Sequence, residues 1–247
     1  MIRTTVHFLG TGDAFGTGGR LQSCALVECL DTRVLVDCGA SGLVSLRRGG
    51  IDPNTIDAVL LTHLHGDHFA GVPFLLMDAR YAGRRTSPLI VIGPPGVESR
   101  VRYLHEALFP GASRLPVRFD LRFVDIAPGA PAEAAGWRVS AHPVEHSSHT
   151  ACHGLRLERD GAVLAFSGDT GWTDHVVDLA RDADLFVCEC YAWDAAPPGH
   201  LDYHTLMTHR ADLSCRRLVV THMGEEMLRR APSLEVETAH DGMIVRL

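Results

Sequence analysis

The chain has 247 residues, of which 46% are hydrophobic and 21% charged; that balance supports a sizeable core and argues against disorder. Its formal net charge is −7, so no global attraction to nucleic acid or anionic membrane is expected, although a local basic patch is compatible with that charge. All 23 basic residues are arginine, which excludes a lysine Schiff base or a lysine general base.

The first residues, MIRTTVHFLG, run straight into an alternating strand pattern over 4–9. They show no basic n-region and no apolar h-region, and no later stretch reaches the ~20 apolar residues of a membrane span. A cytoplasmic enzyme without a membrane segment is the expectation. A glycine-rich turn, GTGDAFGTGG, follows. Strands are predicted at 23–29 and 33–38, then a helix at 42–48 stopped by Gly49-Gly50. The apolar, β-branched run 56–61 reads as a buried strand. Further on, helices are predicted at 71–81 and 96–108 and strands at 89–92, 117–126 and 136–143. The segment APGAPAEAAG before the last of these reads as a loop. Strand patterns resume on both sides of it, so residues 1–247 are read as a single domain. Strands 153–158 and 162–166 form a hairpin around Asp160-Gly161. Then come a helix at 173–181 with Thr173 as N-cap, a strand at 185–190, a helix at 200–213, a strand at 217–220 and a helix at 224–230. The seven cysteines include no C-x-x-C pair and read as reduced and mostly buried.

The strongest chemical signal is T-H-L-H-G-D-H at 62–68, directly after a buried strand. His63 and His65 are two apart, so in extended chain their rings share one side. Gly66 lets the chain turn, and Asp67 and His68 face back into the same space. Imidazole and carboxylate suit zinc, manganese or iron. A hydrogen-bonded histidine cluster is the alternative, but burying these groups unpaired is costly.

H-x-H-x-D-H is the motif of the metallo-β-lactamase superfamily, which the chain resembles. The resemblance is closer to the ribonuclease Z-like branch, through LGTGDAFGTGGRLQS, VLVDCGA, FSGDT, DLFVCE and VVTHM in that order along nearly the whole chain. It implies a four-layer αββα sandwich with mixed α/β sheets and two divalent metal ions, zinc first and manganese or iron as alternatives. One site would be His63, His65, His146 and Asp169; the other, Asp67, His68, Asp169 and His222, with Asp169 bridging. Within AHPVEHSSHTACHG, His146 fits the family's ligand place best and His149 is second choice. His200, 22 residues before His222, matches the place of a family histidine that opens a helix and donates a proton; His204 is the alternative. Asp37 and Glu189 are expected to orient the ligands from behind, although each could equally be a strand-end turn residue.

Two metals ~3.5–4 Å apart can hold a bridging hydroxide for attack on phosphorus or an acyl carbon. Asp67 would orient or deprotonate that water while ligating metal, and His200 would protonate the leaving oxygen. The family's transfer-RNA 3′-processing enzymes insert a tRNA-gripping arm between the equivalents of His146 and Asp169. Here that gap is 22 residues, 147–168, and the arm is missing. With the acidic net charge, a small or cyclic phosphodiester is favoured over tRNA. Ester or lactone hydrolysis and a non-catalytic metal sensor remain as alternatives. Relatives carrying di-iron for redox use typically place a carboxylate where His65 stands. The branch often forms homodimers; nothing else in the sequence bears on oligomeric state.

Overall fold

The computed structural model describes residues 4–147 and 149–247. In chain order the first half gives β1 (Thr4–Gly10), β2 (Cys24–Cys29), β3 (Thr32–Val36), α1 (Gly42–Arg48), β4 (Ala58–Leu60), α2 (Gly66–Phe69), α3 (Val72–Tyr81), β5 (Leu89–Gly93), α4 (Val97–Leu108) and β6 (Leu121–Asp125). The second half gives β7 (Ala132–Ala134), β8 (Trp137–Pro143), β9 (His153–Arg159), β10 (Ala162–Phe166), α5 (Asp174–Ala180), β11 (Leu185–Glu189), α6 (Tyr203–Thr208), β12 (Leu218–Thr221), α7 (Glu225–Arg230), β13 (Glu237–Thr238) and β14 (Ile244–Arg246). Among the described residues these strands make two seven-stranded sheets, ordered β14-β1-β2-β3-β4-β5-β6 and β13-β12-β11-β10-β9-β8-β7.

Side-chain alternation sorts the apolar residues into three cores. From β3, Val34 and Val36 face the opposite sheet while Leu35 faces the helices; from β4, Ala58 and Leu60 do the first and Val59 the second. In the other sheet Leu185 and Val187 face inward while Phe186 and Cys188 pack under α5 and α6. Strands covered on both faces read as continuous apolar runs rather than alternating ones, which is why 56–61 and 185–190 looked uninterrupted. One core lies between the sheets, centred on Phe8, Trp137 and Phe166. The other two lie beneath α1, α3 and α4 on one side and α5, α6 and α7 on the other. The result is the expected αββα sandwich. All seven cysteines are free and buried.

Several local expectations are corrected. The loop APGAPAEAAG contains β7, paired antiparallel with β8. Thr173 sits at the N-cap of α5 in extended conformation, but its side chain makes no capping bond. The helix expected over 200–213 shrinks to α6, capped by Asp202, which accepts from Thr205 N at 2.8 Å and Thr205 Oγ1 at 2.9 Å. A good N-cap side chain wins the helix start, so His200 lies in the turn before the helix and does not open it. β13 and β14 carry no local pattern and form by pairing with β12 and β1.

Candidate metal centre

The centre lies where loops leave the strand ends of both sheets. After β4 the backbone stays in register: Leu61 N donates to Ile92 O and Thr62 N to Asp37 Oδ1, at 2.8 and 2.9 Å. The short α2 then presents Asp67 and His68, both buried. It is stitched to the end of β3 by Cys38 N→His68 O at 2.7 Å and Gly71 N→Cys38 O at 2.9 Å. That approach demands glycine. A Cβ on Gly39 would stand 2.2 Å from Asp67 O, and one on Gly71 would stand 2.2 Å from Gly39 O. His146 follows β8, Asp169 follows β10 and His222 follows β12. Asp37 and His222 both take left-handed backbone conformations, φ 59° and 57°, a strain that tends to collect at functional sites.

The expected ligands converge. His63, His65 and His146 form one group of ligating atoms, and Asp67, His68, Asp169 and His222 a second. Asp169 faces both. Its Oδ2 is 3.8 Å from His63 Nε2 and 3.7 Å from His146 Nε2; its Oδ1 is 3.2 Å from His68 Nε2 and 3.5 Å from His222 Nε2. Asp67 Oδ2 lies 3.3 Å from His68 Nε2 and 3.2 Å from His222 Nε2, and His146 Nε2 lies 3.0 Å from His65 Nδ1. Bonds of 2.0–2.2 Å to a tetrahedral cation place neighbouring ligand atoms about 3.3–3.6 Å apart. The observed spacings bracket that value. Three of the converging atoms, His63 Nε2, His68 Nε2 and Asp169 Oδ1, are buried without any hydrogen-bond partner. Unpaired buried groups are costly, and cations at these two points would satisfy them. The donor set therefore fits divalent metal.

Protein groups hold the second ring nitrogen of His68, His63 and His146. His68 Nδ1 contacts Asp37 Oδ2 at 2.7 Å. His63 Nδ1 contacts Thr62 Oγ1 at 3.0 Å, and that hydroxyl donates to Asp37. His146 Nδ1 donates to Gly199 O at 2.8 Å. Such contacts fix the tautomer that leaves Nε2 free. Burial, with neighbouring imidazoles, pushes the pKa values of His63 and His65 down; for His146 burial outweighs the pull of Asp169. At His68 and His222 burial acts the same way, but carboxylates outweigh it and raise both: Asp169, Asp37 and Asp67 at His68, and Asp169, Asp67 and Glu189 at His222. Asp67 and Asp169 are correspondingly lowered despite burial, by His68 and His222.

Glu189 sits beneath. It accepts from Thr170 N, from Leu201 N at 3.3 Å and from His200 Nδ1 at 3.1 Å. Its pKa is pushed well up, by burial first and then by Asp169. His200 lines the cleft over the centre, its ring 4.8 Å from that of His146. Its alternative, His204, packs edge-on against Trp193 at 4.7 Å and does not line that cleft. His149, second choice to His146, is exposed and belongs to neither ligand group. It lines an adjacent depression that shares only His65 with the centre.

The cleft measures about 280 Å³ and its wall includes Asp13, Phe15, Tyr191, Pro197 and His200. None of its lining residues is an arginine. Sequence reasoning registered GTGDAFGTGG but gave its residues no role. Asp241 had no signal at all, yet it clamps that loop from 230 positions away through Thr11 N at 2.9 Å and Leu21 N at 2.8 Å.

A sequence-family model described as the Beta-lactamase superfamily domain matches residues 32–223. Ribonuclease Z of Methanosarcina acetivorans is 24% identical over 275 residues, covering 90% of this chain and 88% of that protein. The uncharacterised protein ML1173 of Mycobacterium leprae is 32% identical over 227 residues, covering 89% and 77%. The crystal structure of the short form of human tRNase Z superposes with a TM-score of 0.77 at 24% identity, covering 98% of each chain. With its H-x-H-x-D-H segment at a site of this geometry, the chain belongs to the metallo-β-lactamase superfamily, in its ribonuclease Z-like branch.

Proposed function

We propose that the protein is a dinuclear metal-dependent phosphodiesterase acting on a small or cyclic phosphodiester. The observation that carries this reading is the pair of ligand groups meeting at the floor of a confined cleft. His63, His65, His146 and Asp169 would hold one cation, and Asp67, His68, Asp169 and His222 the other. Bound there, two divalent cations would supply Lewis acidity to a phosphoryl oxygen and make a water acidic enough to act as nucleophile near neutral pH. The chain's own groups do the rest. Asp67 places a carboxylate oxygen between His68 and His222, positioned to orient the attacking water. His200 has its Nδ1 held by Glu189, which leaves Nε2 to give a proton to the leaving oxygen. Asp37 and Glu189 support these groups from behind.

Cleft size and charge favour a small substrate. About 280 Å³ lies at the lower edge of the ~300–1,000 Å³ typical of small-molecule sites. With no arginine in the wall, a single phosphodiester charge fits better than a polyanion. A second reading, tRNA 3′ processing, is favoured by the ribonuclease Z relatives. Against it, the described residues between His146 and Asp169 form only a loop and the β9–β10 hairpin, with no tRNA-gripping arm. Metal analysis of the purified protein, with parallel assays on bis(p-nitrophenyl) phosphate, a cyclic nucleotide, a precursor tRNA and a lactone, separates the readings. Two metals per chain with diester turnover is the expected result. Cleavage of precursor tRNA alone, or of the lactone alone, would overturn it, and metal content without any turnover would mark a sensor.

A further inference from the structure

The wall of the cleft contains a feature that metal chemistry does not use. Phe15 is 82% exposed and stands at the mouth of the same cleft as His65, Asp67 and Asp169. A single exposed phenylalanine is ordinary on a surface. The backbone that carries this one is braced by hydrogen bonds. Asp13, only 1% exposed, accepts through Oδ1 from Phe15 N at 3.1 Å and Thr17 N at 2.9 Å, and through Oδ2 from Thr17 Oγ1 at 2.6 Å. The loop base is tied down by Asp241 and by Arg20, which donates to Thr11 Oγ1 at 3.0 Å and Ala239 O at 2.6 Å. The backbone turns through left-handed Gly16, Gly18 and Gly19. So much bracing contributes nothing to packing the Phe15 ring itself, but it does fix the place where that ring is presented.

The rest of the wall points the same way. Tyr191, its ring 5.1 Å from that of His200, and Pro197 add apolar surface to the lining. No arginine lines the cleft, and beyond the ligand side chains its wall is carried largely by Phe15, Tyr191 and Pro197. Such a surface offers a substrate flat apolar contact, and an aromatic face suits a planar ring.

We propose that Phe15 is a specificity-determining platform that stacks an aromatic ring of the substrate, so that the substrate class is a nucleoside or aryl phosphodiester rather than an alkyl one. The proposal rests on the phosphodiesterase reading above. Phe15 takes no part in bond making; it orients the ring and lowers KM.

The test compares adenosine 2′,3′-cyclic phosphate with glycerol 1,2-cyclic phosphate, two strained five-membered diesters, the first carrying ribose and adenine and the second neither. Steady-state constants are measured for the wild type, Phe15→Ala and Phe15→Trp, with metal content and oligomeric state determined on the same samples. The wild type should prefer the adenosine substrate. Phe15→Ala should lower the adenosine-to-glycerol ratio of kcat/KM by roughly 5- to 100-fold, mainly through KM, as loss of one stacked base predicts. Phe15→Trp should restore most of the ratio. An unchanged ratio in Phe15→Ala would sink the platform while leaving the phosphodiesterase reading intact. A shift in oligomeric state on Phe15→Ala would mark the residue as an interface and overturn the proposal too. A wild type with two metals that cleaves neither of these diesters nor bis(p-nitrophenyl) phosphate would remove the phosphodiesterase reading, and the platform with it.

Discussion

Asp37 offers a demanding test of how the centre is held. Its buried carboxylate accepts from Thr62 N at 2.9 Å and contacts His68 Nδ1 at 2.7 Å; through Thr62 Oγ1 it also reaches His63 Nδ1. One side chain therefore orients a histidine of each ligand group. In Asp37→Ala, Thr62 N–H and His68 Nδ1–H lose their acceptors in a buried place, at about 1–3 kcal/mol each. Alanine also tolerates the left-handed φ of 59° less well than aspartate. A total near 3 kcal/mol is expected, which for a chain of this length lowers Tm by about 6–12 °C. Asp37→Asn keeps the shape and one good acceptor, so its fall should be less than half as large. Loss of such a supporting partner typically weakens metal binding about 10- to 100-fold. Both variants should show that loss, alanine more than asparagine. The assays are thermal melts in excess chelator, to isolate the protein's own stability, and zinc titration of metal-stripped protein against a competing chelator. If folded Asp37→Asn and Asp37→Ala bind zinc as tightly as the wild type, Asp37 does not hold the ligands and the reasoning fails.

His200→Ala should impair diesters with alkoxide leaving groups by about 100-fold or more and nitrophenyl diesters far less, since only the former need a proton donor; equal loss on both would remove His200 from that role. Gly71→Ala would drive a Cβ to 2.2 Å from Gly39 O and 2.8 Å from Cys38 O, so the denaturant midpoint should fall by the equivalent of about 2–3 kcal/mol, and an unchanged midpoint would show that the β3–α2 junction has slack. The native protein should leave all seven buried thiols unreactive toward a disulfide reagent, Cys38 among them because burial, aided by Asp37, pushes its pKa up to about 12; rapid stoichiometric labelling before unfolding would contradict this. Adding salt should change turnover of a small diester little, because screening acts on exposed side-chain charges and no arginine lines the cleft; a steep loss would point to a cationic contact elsewhere.

Much of this protein is written in local chemistry. The run of apolar residues in β4 and the H-x-H-x-D-H that follows specify a buried strand ending in ligand-type side chains, because periodicity and donor identity are properties of a few consecutive residues. The bounds of α1 were equally legible, since a glycine pair favours the left-handed helix stop that Gly50 adopts, φ 70°. Folding alone decided what depends on distant partners. His146 and His149 are both loop histidines three residues apart; only the packing of the loop against Gly199 turns the first toward Asp169 and leaves the second exposed. The fate of His200 was settled by Asp202 capping α6, which set the histidine in a turn over Glu189. β14 exists only because β1, more than 230 residues earlier, offers it an edge. The base of the loop that carries Phe15 is held by Asp241, from the opposite end of the chain. Residue type and spacing set which groups can act, but convergence is a long-range property, fixed only when two sheets pack and bring their loop ends to one place.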